Sequence, residues 1–423
     1  MNYLEELLGG ESPTQEDECF ERSDVDADVI ARIETATLRL VAHICSGRAP
    51  TMSMTSRAAS NISLQSVAAH RQPSAGASSQ HCTSQHSLND ETQVDSQNPA
   101  HEPADQQPEQ MVVSVGQRMQ TRTMLKNQGA GAISIARILR VMAATHELLK
   151  SGRKATQRDL YYKLMQPPLF SNAREVNAAI QDVEALVGVS RAGLGVTCAP
   201  RGAVSGALYI RDSPMGAWQD CRTCGNSGRG LPGDLSTLST FSFQCAARYL
   251  IIVEKDAIFQ RLTEDRFFDE VPAVLITAKG FPDLATRCFA AQLMAAFPGQ
   301  MRCLGLVDYN PAGVTILQTY KLGSARMGLE DVACTLPDLR WLGIRAAMLS
   351  DVDSTHLQVL TPRDRTLLPG LKTSLAHEPA WIEELETMEQ LGYRADIEAL
   401  YSVVGYAGFS QMLARCILRN EYI

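Results

Sequence analysis

Residues 249–254 read YLIIVE, an uninterrupted apolar run that ends at an acidic residue. The pattern recurs at residues 303–308, CLGLVD, and a third apolar run occupies residues 273–277. Helix-like stretches separate or follow these runs, at residues 257–262, 282–296 and 311–322. Continuous apolar strands that alternate with helices are typical of a parallel sheet covered on both faces. We therefore expect a Rossmann-like α/β domain in this half of the chain.

Two acids stand directly after apolar strands. Ligands of such sheets bind at the carboxyl ends of the strands, so we expect Glu254 and Asp308 to lie at one edge. Asn310 follows two residues later and can offer its side-chain carbonyl to the same ion. A few hard oxygen ligands with room for water and phosphate suit Mg²⁺. Either acid could instead cap a helix, as Asp308 could before Pro311, but their joint placement favours a metal site.

The region before this domain predicts three helices and a hairpin. The helices are expected at residues 133–150, from 157 onward and at 171–187, and the β-like runs at 195–198 and 203–210. Thr156 and Asp159 resemble a capping box, and Ser171 is the predicted N-cap of the third helix. Three helices followed by a hairpin are the winged-helix (CAP-like) arrangement, in which the third helix and the wing approach DNA.

The N-terminal part of the chain has a different character. Residues 24–44 carry apolar side chains near helical spacing, which predicts an amphipathic helix. This helix either packs back on the folded body or docks a partner protein. Residues 51–110 are rich in Ser, Gln, Ala and His, and no aromatic residue occurs between Phe20 and Tyr161. Such a segment buries too little apolar surface to offset its ordering entropy, so we expect a disordered tether.

These features predict a multidomain α+β protein in four parts. They are an acidic N-terminal segment with a partner-docking helix (residues 1–50), a disordered Ser/Gln-rich linker (51–125), a winged-helix domain (126–233) and a parallel-sheet domain with a C-terminal helical part (234–423).

The charge of the chain is unevenly distributed. The 423 residues include 39 Lys and Arg and 47 Asp and Glu, a net charge of −8. Residues 1–110 hold 17 acids and 6 bases, a net charge of −11, whereas the other 313 residues hold 30 acids and 33 bases, a net charge of +3. The acidic average therefore comes from the N-terminal quarter. The body is only mildly basic, so its affinity for phosphate has to depend on locally placed groups.

Two further classes of protein are disfavoured. No apolar run is long enough to span a membrane. The cysteines are scattered, mostly singly, in apolar segments, as at Cys245, Cys288, Cys303 and Cys416. This pattern predicts buried, reduced thiols in an intracellular protein and no disulfide framework.

An ordered set of motifs matches a known family. They are RDLYY at 158–162, LPGD at 231–234, VEKD at 253–256, KGFPD at 279–283, VDYNPAG at 307–313, WLG at 341–343 and GYRADIEAL at 392–400. Across residues 130–420 this set resembles the A-type subunit of topoisomerase VI and its meiotic relatives, the transesterases that initiate recombination. The segment around Asn310 is similar to that of the second plant-type paralogue group. The resemblance implies a Toprim domain at 234–423, with Glu254, Asp308 and Asn310 as its Mg²⁺ ligands.

The resemblance also implies an activity. By this resemblance the chain would be a DNA-cleaving transesterase like the ATP-hydrolysing type IIB DNA topoisomerases, and it would form meiotic double-strand breaks. Tyr162 would attack a DNA phosphodiester and form a 5′-phosphotyrosyl link. Arg158 lies one helical turn before Tyr162, so it can bind the scissile phosphate with its planar guanidinium. A surface salt bridge is the alternative role of Arg158. Tyr161 is expected to pack in the core.

The partners implied by the resemblance are double-stranded DNA, a second A-type protein and a protein like the B-type subunit of topoisomerase VI. The second A-type protein would be a copy of this chain or a sister paralogue. The B-type protein would supply any ATP hydrolysis and contact the helix at 24–44. The expected location is the nucleus, on meiotic chromosomes, and no membrane partner is expected.

Asn310 stands where the family has Asp, which predicts weaker binding of a second metal ion. Three alternatives stay open: a non-catalytic or partly catalytic member of a heterodimeric DNA-binding complex, a complete A-type subunit of a type IIB topoisomerase, and a Toprim nuclease.

Overall fold

The computed structural model describes residues 15–56, 62–67, 110–115, 119–124, 129–323 and 334–423. Within these residues the buried apolar side chains form two cores. The first core includes residues from Val29 to Val196, and the second includes residues from Ala203 to Ile417. The chain therefore passes from the first core to the second between Val196 and Ala203, and we call this point the change of core. The sequence predicted the end of the winged-helix domain about thirty residues later, at Gly233.

Helices dominate the first core. Its elements are α1 (Gln15–Cys45), β1 (Thr51–Thr55), β4 (Met119–Thr123), α2 (Ala130–Lys150), β5 (Ala155–Thr156), α3 (Gln157–Leu164), α4 (Ala173–Val187) and β6 (Val196–Thr197), and the chain between β1 and β4 includes β2 (Ile62–Val67) and β3 (Gln110–Val115). The three predicted helices are confirmed as α2, α3 and α4, and in α4 the predicted apolar stripe faces the core, with Val176, Ile180 and Val183 all buried.

The caps of α3 and α4 test the sequence signals directly. The capping box of α3 is confirmed, because the Asp159 N–H donates to Thr156 Oγ1 and the Thr156 N–H donates to Asp159 Oδ2, each at 3.1 Å. The predicted N-cap Ser171 is wrong by one residue: the N-cap is Asn172, whose Oδ1 accepts the Glu175 N–H at 3.2 Å. The Ser171 N–H donates instead to the Glu175 carboxylate at 2.7 Å.

The N-terminal helix α1 packs on the folded body, against α2 and α4. Val29, Ile33 and Leu40 are buried along one face. Leu38, on the opposite side of the helix, is 67% exposed, and Ile44, in the last turn on the side of the buried stripe, is 56% exposed. Of the two roles considered for this helix, packing on the body is therefore confirmed, and some of its apolar side chains remain exposed.

The expected disordered linker contains strands. β1 pairs antiparallel with β4, and β2 pairs antiparallel with β3. Met52 and Met54 are buried in the first core, and Arg122 on β4 lies 3.1 Å from Asp182 on α4. The prediction of disorder is thus wrong at both ends of the linker, because its average composition concealed short strands. In β1 the alternate residues Met52 and Met54 face the core. Residues 57–61, 68–109, 116–118 and 125–128, in and just after the expected linker, lie outside the described residues.

Met54→Ala is expected to lower the free energy of unfolding by about 2–4 kcal/mol, since a buried methionine loses its contacts and leaves a cavity. Met54 is 1% exposed, whereas Met119 on the paired strand is 59% exposed. Met119→Ala is therefore a matched control, with an expected change below about 0.5 kcal/mol. Chemical denaturation measures both variants. Equal, negligible changes would contradict the packing of β1 on the first core.

Sheets and helices alternate around the second core. Its elements are β7 (Ala203–Gly206), β8 (Leu208–Arg211), β9 (Gln219–Asp220), β10 (Arg229–Gly230), α5 (Leu235–Ser239), β11 (Ser242–Cys245), β12 (Tyr249–Val253), α6 (Asp256–Glu264), α7 (Phe267–Glu270), β13 (Ala273–Thr277), α8 (Leu284–Ala296), β14 (Arg302–Leu306), α9 (Pro311–Leu322), β15 (Arg340–Gly343), β16 (Gln358–Val359), α10 (Pro362–Ser374), α11 (Pro379–Leu391), β17 (Tyr393–Arg394) and α12 (Tyr401–Leu418). Among the described residues, no helix combines the length and the apolar character that crossing a membrane requires.

The main sheet, as far as the structure describes the chain, has six strands in the order β10-β7-β13-β12-β14-β15. The four strands from β13 to β15 run parallel, as predicted, whereas β7 and β10 pair antiparallel with their neighbours. Tyr249 on β12 lies opposite Ala273 on β13 and Arg302 on β14. This common register brings the carboxyl ends of β12 and β14 side by side, directly before Glu254 and close to Asp308.

The predicted wing hairpin is wrong. β6 does not pair with β7; it pairs in parallel with β5, with Val196 opposite Ala155. β7 joins the main sheet instead, with Val204 opposite Ile276 of β13. All four residues of β7 are buried, so this strand needs cover on both faces, which an exposed wing does not provide.

Cysteine pairing also differs from expectation. Cys288 on α8 and Cys334, which follows α9, form a disulfide across 46 residues of sequence. The prediction of only reduced thiols is therefore wrong for Cys288, because residues so far apart in sequence meet only through the tertiary fold. Cys303 and Cys416 are buried free thiols, as predicted.

Candidate active site

The predicted nucleophile Tyr162 lies near the C-terminal end of α3. Its side chain is 58% exposed, although its neighbours Leu160 and Leu164 are buried in the first core. Two buried leucines, with the capping box at the start, hold this short helix against the body. Tyr161 is half-buried and packs against the first core, as predicted. The helix therefore packs one tyrosine of the pair against the core and presents the other to solvent.

Arg158 lies beside Tyr162 as its spacing predicted. The Arg158 Nε and Nη2 atoms each donate to the Tyr162 Oη at 3.4 Å, and the guanidinium carbon lies 5.9 Å from the centre of the tyrosine ring. The hydrogen bond to Tyr162 raises the pKa of Arg158. No carboxylate of the described residues forms an ion pair with Arg158, so the guanidinium keeps donors available beside the phenolic oxygen.

Glu254 and Asp308 meet at the carboxyl ends of β12 and β14. The Asp308 backbone N–H donates to Glu254 Oε2 at 2.8 Å. Burial and the nearby Asp308 carboxylate raise the pKa of Glu254 to about 7. Burial also raises the pKa of Asp308. Two acids forced together in a largely buried setting are stabilised by a nearby cation.

Asn310 acts as a helix cap. Its Oδ1 accepts the Gly313 N–H at 2.8 Å, which makes it the N-cap of α9 just before Pro311. The helix-capping role that the sequence suggested for Asp308 thus belongs to Asn310. The carbonyl oxygen keeps a second lone pair, but its direction is set by the cap.

Asn310→Ala is expected to lower the free energy of unfolding by about 1 kcal/mol, because the first turn of α9 loses its cap. Asn310→Asp keeps a capping oxygen and is expected to leave stability almost unchanged, while the added negative charge strengthens Mg²⁺ binding. Denaturation and Mg²⁺ titration of both variants separate the two roles. Loss of stability in the Asp variant would contradict the cap, and unchanged Mg²⁺ affinity in it would show that charge at this position is unimportant.

Three further charged residues complete this edge of the sheet. Lys255 Nζ lies 2.7 Å from Glu398 Oε2, 3.1 Å from Asp308 Oδ1 and 3.5 Å from Asp396 Oδ1. Burial opposes the charged form of Lys255, yet Glu398 and Asp308 raise its pKa. Lys255, Asp396 and Glu398 lie within the motifs VEKD and GYRADIEAL, but neither motif predicts that their charges meet. The presence of a base in one motif and of acids in the other was the only sequence feature that could have pointed to this contact.

The backbone explains how the 396–398 segment reaches the acids. Tyr309 and Ala395 form an antiparallel bridge with N–H···O distances of 2.9 and 3.1 Å. The Ile397 N–H then donates to Asp308 Oδ1 at 2.9 Å. A segment 89 residues further along the chain therefore fixes the orientation of the Asp308 carboxyl.

The donor set fits a divalent ion such as Mg²⁺. Among the described residues, the hydrogen bonds and ion pairs of the Glu254 and Asp308 carboxyls use one oxygen of each, Glu254 Oε2 and Asp308 Oδ1. Within the same residues, Glu254 Oε1 and Asp308 Oδ2 take no such contact, so each acid keeps one oxygen for an ion. Two carboxylate oxygens with space for water match the way proteins hold Mg²⁺.

The tyrosine and the acid pair are separate groups in this chain. No hydrogen bond or ion pair between described residues links Tyr162 or Arg158 to the predicted metal ligands. Just before α3, Lys154 links the segment that carries Tyr162 to the start of α5, because its Nζ lies 2.7 Å from Asp234. Burial disfavours the Asp234 carboxylate, but hydrogen bonds from Lys154, Ser236 and Thr237 lower its pKa to about 2. The ion pair therefore persists at neutral pH.

Comparison with known proteins shows that the tyrosine and the acid pair lie in two known protein domains. The model of the Toprim domain shared by Spo11 and the A-type subunit of topoisomerase 6 matches residues 249–411, which include Glu254, Asp308 and Asn310. A model described as type IIB DNA topoisomerase matches residues 133–196, which include Arg158 and Tyr162. The Toprim domain and a domain of the type IIB topoisomerases are therefore both present.

Individual relatives agree with the domain matches. The chain is 42% identical over 307 residues to meiotic recombination protein SPO11-2 of Arabidopsis thaliana, covering 72% of this chain and 78% of that protein. It is 33% identical over 317 residues to meiotic recombination protein SPO11 of Mus musculus, covering 73% and 77%. It is 34% identical over 270 residues to the A-type subunit of DNA topoisomerase 6 of Arabidopsis thaliana, covering 62% and 61%. The resemblance read from the motifs is confirmed: this chain belongs to the family of Spo11 and the topoisomerase 6 A-type subunits.

Proposed function

We propose that this chain forms DNA double-strand breaks in meiosis by topoisomerase-like transesterification and so initiates homologous recombination. The observation that carries the proposal is the exposed Tyr162 hydroxyl, which lies beside the guanidinium of Arg158 on a helix anchored to the first core. Membership of the family of Spo11 and the topoisomerase 6 A-type subunits, with similarity to SPO11-2, supplies the substrate and the meiotic setting.

The chemistry at Tyr162 is a phosphoryl transfer without hydrolysis. The Tyr162 oxygen attacks a DNA phosphorus, a 5′-phosphotyrosyl bond forms, the bond to the 3′ oxygen breaks, and the proton lost by the phenol is balanced by the proton gained at the 3′-hydroxyl. A neutral phenol is a weaker nucleophile than a phenolate, so the attack depends on groups that share or remove the phenolic proton. Two Arg158 nitrogens donate to Tyr162 Oη, and they stabilise the negative charge that develops on this oxygen. The same guanidinium can bind the DNA phosphate that the oxygen attacks.

Glu254 and Asp308 are the residues that would hold Mg²⁺, with Asn310 restricted by its capping role. When bound, the ion supplies positive charge that neutralises the phosphate and stabilises the leaving oxygen. The chain itself supplies one free oxygen from each acid and fixes Asp308 through the Ile397 N–H. Asn310 in place of a third acid favours a single well-held ion.

The separation of the two groups supports a dimer. Among the described residues of one chain, Tyr162 and the acid pair share no contact, so the tyrosine of one protomer would meet the acids of its partner, either a second copy or a sister A-type paralogue. Each protomer cuts one strand, and two cuts make a double-strand break. The three-helix unit α2–α4 would face double-stranded DNA as a domain of winged-helix type, with its wing formed by strands other than the predicted hairpin.

The remaining partners follow the same proposal. The exposed apolar side chains of α1, Leu38 and Ile44 among them, would contact a protein like the B-type subunit of topoisomerase VI. ATP hydrolysis belongs to that partner and is not assigned to this chain. The site of action would be the nucleus, on meiotic chromosomes. We also propose that the chain has four functional parts: the docking segment at 1–50, the linker at 51–125, the tyrosine-bearing domain and the Toprim domain. The boundary between the last two parts would lie at the change of core before Ala203.

Capture of protein-linked DNA ends under denaturing conditions tests the proposal. Wild-type protein is expected to remain attached to 5′ ends, and Tyr162→Phe is expected to leave none attached. Cut ends that carry free 5′-phosphates and no protein would instead support a Toprim nuclease.

A further inference from the structure

Lys255 lies at the centre of three acids, of which only Asp308 belongs to the proposed metal site. Its ammonium contacts Glu398, Asp308 and Asp396 at 2.7, 3.1 and 3.5 Å. The side chain is 26% exposed and belongs to the residue that directly follows Glu254. One cation therefore connects the ends of β12 and β14 to the segment after β17.

The contacts of Asp308 divide its carboxyl into two halves. Oδ1 accepts the Ile397 N–H at 2.9 Å and lies 3.1 Å from Lys255. Oδ2 takes no hydrogen bond or ion pair from the residues that the structure describes. An ion bound by Oδ2 would thus lie a few ångströms from a second positive charge, in a half-buried setting where such repulsion is strong.

We propose that Lys255 is a built-in counter-cation that neutralises Asp308, Asp396 and Glu398 before a divalent ion arrives and that weakens the binding of that ion. This inference rests on the proposed metal site at Glu254 and Asp308. Lys255 is a positioning residue: it acts through Asp308 and sets how much free Mg²⁺ is needed to fill the site.

Lys255 affects metal binding through its charge more than through the orientation of the Asp308 carboxyl. If Lys255 is removed, the Ile397 N–H still holds Asp308 Oδ1, so the carboxyl keeps its direction. The three acids around the vacated ammonium then repel one another, and this repulsion both destabilises the metal-free protein and favours uptake of a divalent cation. Removal of Lys255 is therefore expected to tighten ion binding while it lowers metal-free stability.

The test compares Mg²⁺ binding by the full-length, metal-free protein in calorimetric titrations, together with thermal unfolding in the presence of a chelator. Lys255→Met is expected to lower the Kd for Mg²⁺ by about fivefold or more, the equivalent of one half-buried ion pair, and to lower the metal-free Tm. Lys255→Arg keeps the charge and is expected to keep a Kd close to that of the wild type. Lys255→Gln replaces the Met variant if the latter does not fold.

The matched control is Lys372→Met. Lys372 is also 26% exposed and lies 2.7 Å from its partner Glu389, and neither residue contacts the acid pair through the hydrogen bonds or ion pairs of the described residues. The control is expected to leave the Kd for Mg²⁺ unchanged, so any effect of Lys255→Met is specific to its place beside Asp308.

The outcomes separate this inference from the proposed metal site. Wild-type binding that depends on Glu254, with equal or weaker binding by Lys255→Met, would overturn the inference alone. Tightening by Lys255→Arg as large as that by Lys255→Met would also overturn it, because the charge would then be irrelevant. Absence of Mg²⁺ binding in every variant would overturn the metal site and the inference together.

Discussion

Tyr162→Phe is expected to reduce covalent protein–DNA complexes by at least about a thousandfold, because removal of the nucleophile leaves no atom that can form the phosphotyrosyl bond. The side chain is 58% exposed, so loss of its hydroxyl removes no buried contact. Its hydrogen-bonding partner Arg158 is itself solvent-exposed and can bond to water. The unfolding temperature of the variant is therefore expected to match that of the wild type.

The matched control for this variant is Tyr161→Phe, which preserves the ring that packs against the first core. Covalent complexes are expected to persist in Tyr161→Phe and to vanish in Tyr162→Phe, both measured by denaturing capture of DNA ends. Persistence of complexes in Tyr162→Phe would contradict the assignment of the nucleophile. Loss in both variants would show that the pair, rather than one hydroxyl, is required.

Glu254→Gln has the second largest expected effect. The amide oxygen of Gln can still accept the Asp308 N–H that now reaches Glu254 Oε2 at 2.8 Å, so the local fold is preserved. The variant lacks half of the acid pair, and we expect loss of Mg²⁺-induced stabilisation together with a loss of DNA cleavage of about a hundredfold or more. Mg²⁺ titrations followed by thermal unfolding and by end capture measure both effects.

The same variant has a defined pH dependence when metal is absent. The pKa of Glu254 is raised from 4.5 to about 7 in the folded protein, first by burial and then by Asp308. The folded chain therefore keeps a proton that the unfolded chain has released, and stability falls as pH rises through this window. At about pH 8 the Gln variant is expected to be more stable than the wild type by up to about 3 kcal/mol, and at about pH 4 the difference is expected to vanish.

A remote acid supplies the control for that measurement. Glu264 lies exposed at the end of α6, and Glu264→Gln is expected to show neither the gain at high pH nor the loss of the Mg²⁺ response. A Glu254→Gln variant whose stability followed the wild type at every pH would contradict the strain between the two buried acids.

Sequence patterns predicted the individual residues of the candidate site better than their interactions. The motif RDLYY placed Arg158 one turn from Tyr162, and the structure brings the two side chains together. Two apolar runs that end in acids likewise predicted that Glu254 and Asp308 would meet. Neither pattern could assign Lys255, because its three acidic partners come from a strand end about fifty residues away and from a segment about 140 residues away.

Asn310 shows the limit of reading ligands from spacing. Its position two residues after Asp308 suits an ion, and it suits equally the first turn of α9. Only the backbone geometry shows that Oδ1 points to the Gly313 N–H. The cap occupies one lone pair of that oxygen and sets its direction, which is therefore a property of the helix that follows.

Local periodicity determined the helices α2, α3 and α4 and the parallel strands of the second core, since each depends on residues that are neighbours in the sequence. The tertiary structure alone decided the pairing of β7 with β13, the pairing of β1 with β4, the bond between Cys288 and Cys334, and the place of Lys255 among the acids. The physical reason is the same for all four. Each joins segments separated by tens of residues, and such contacts depend on which buried surfaces fit together rather than on any repeat along the chain.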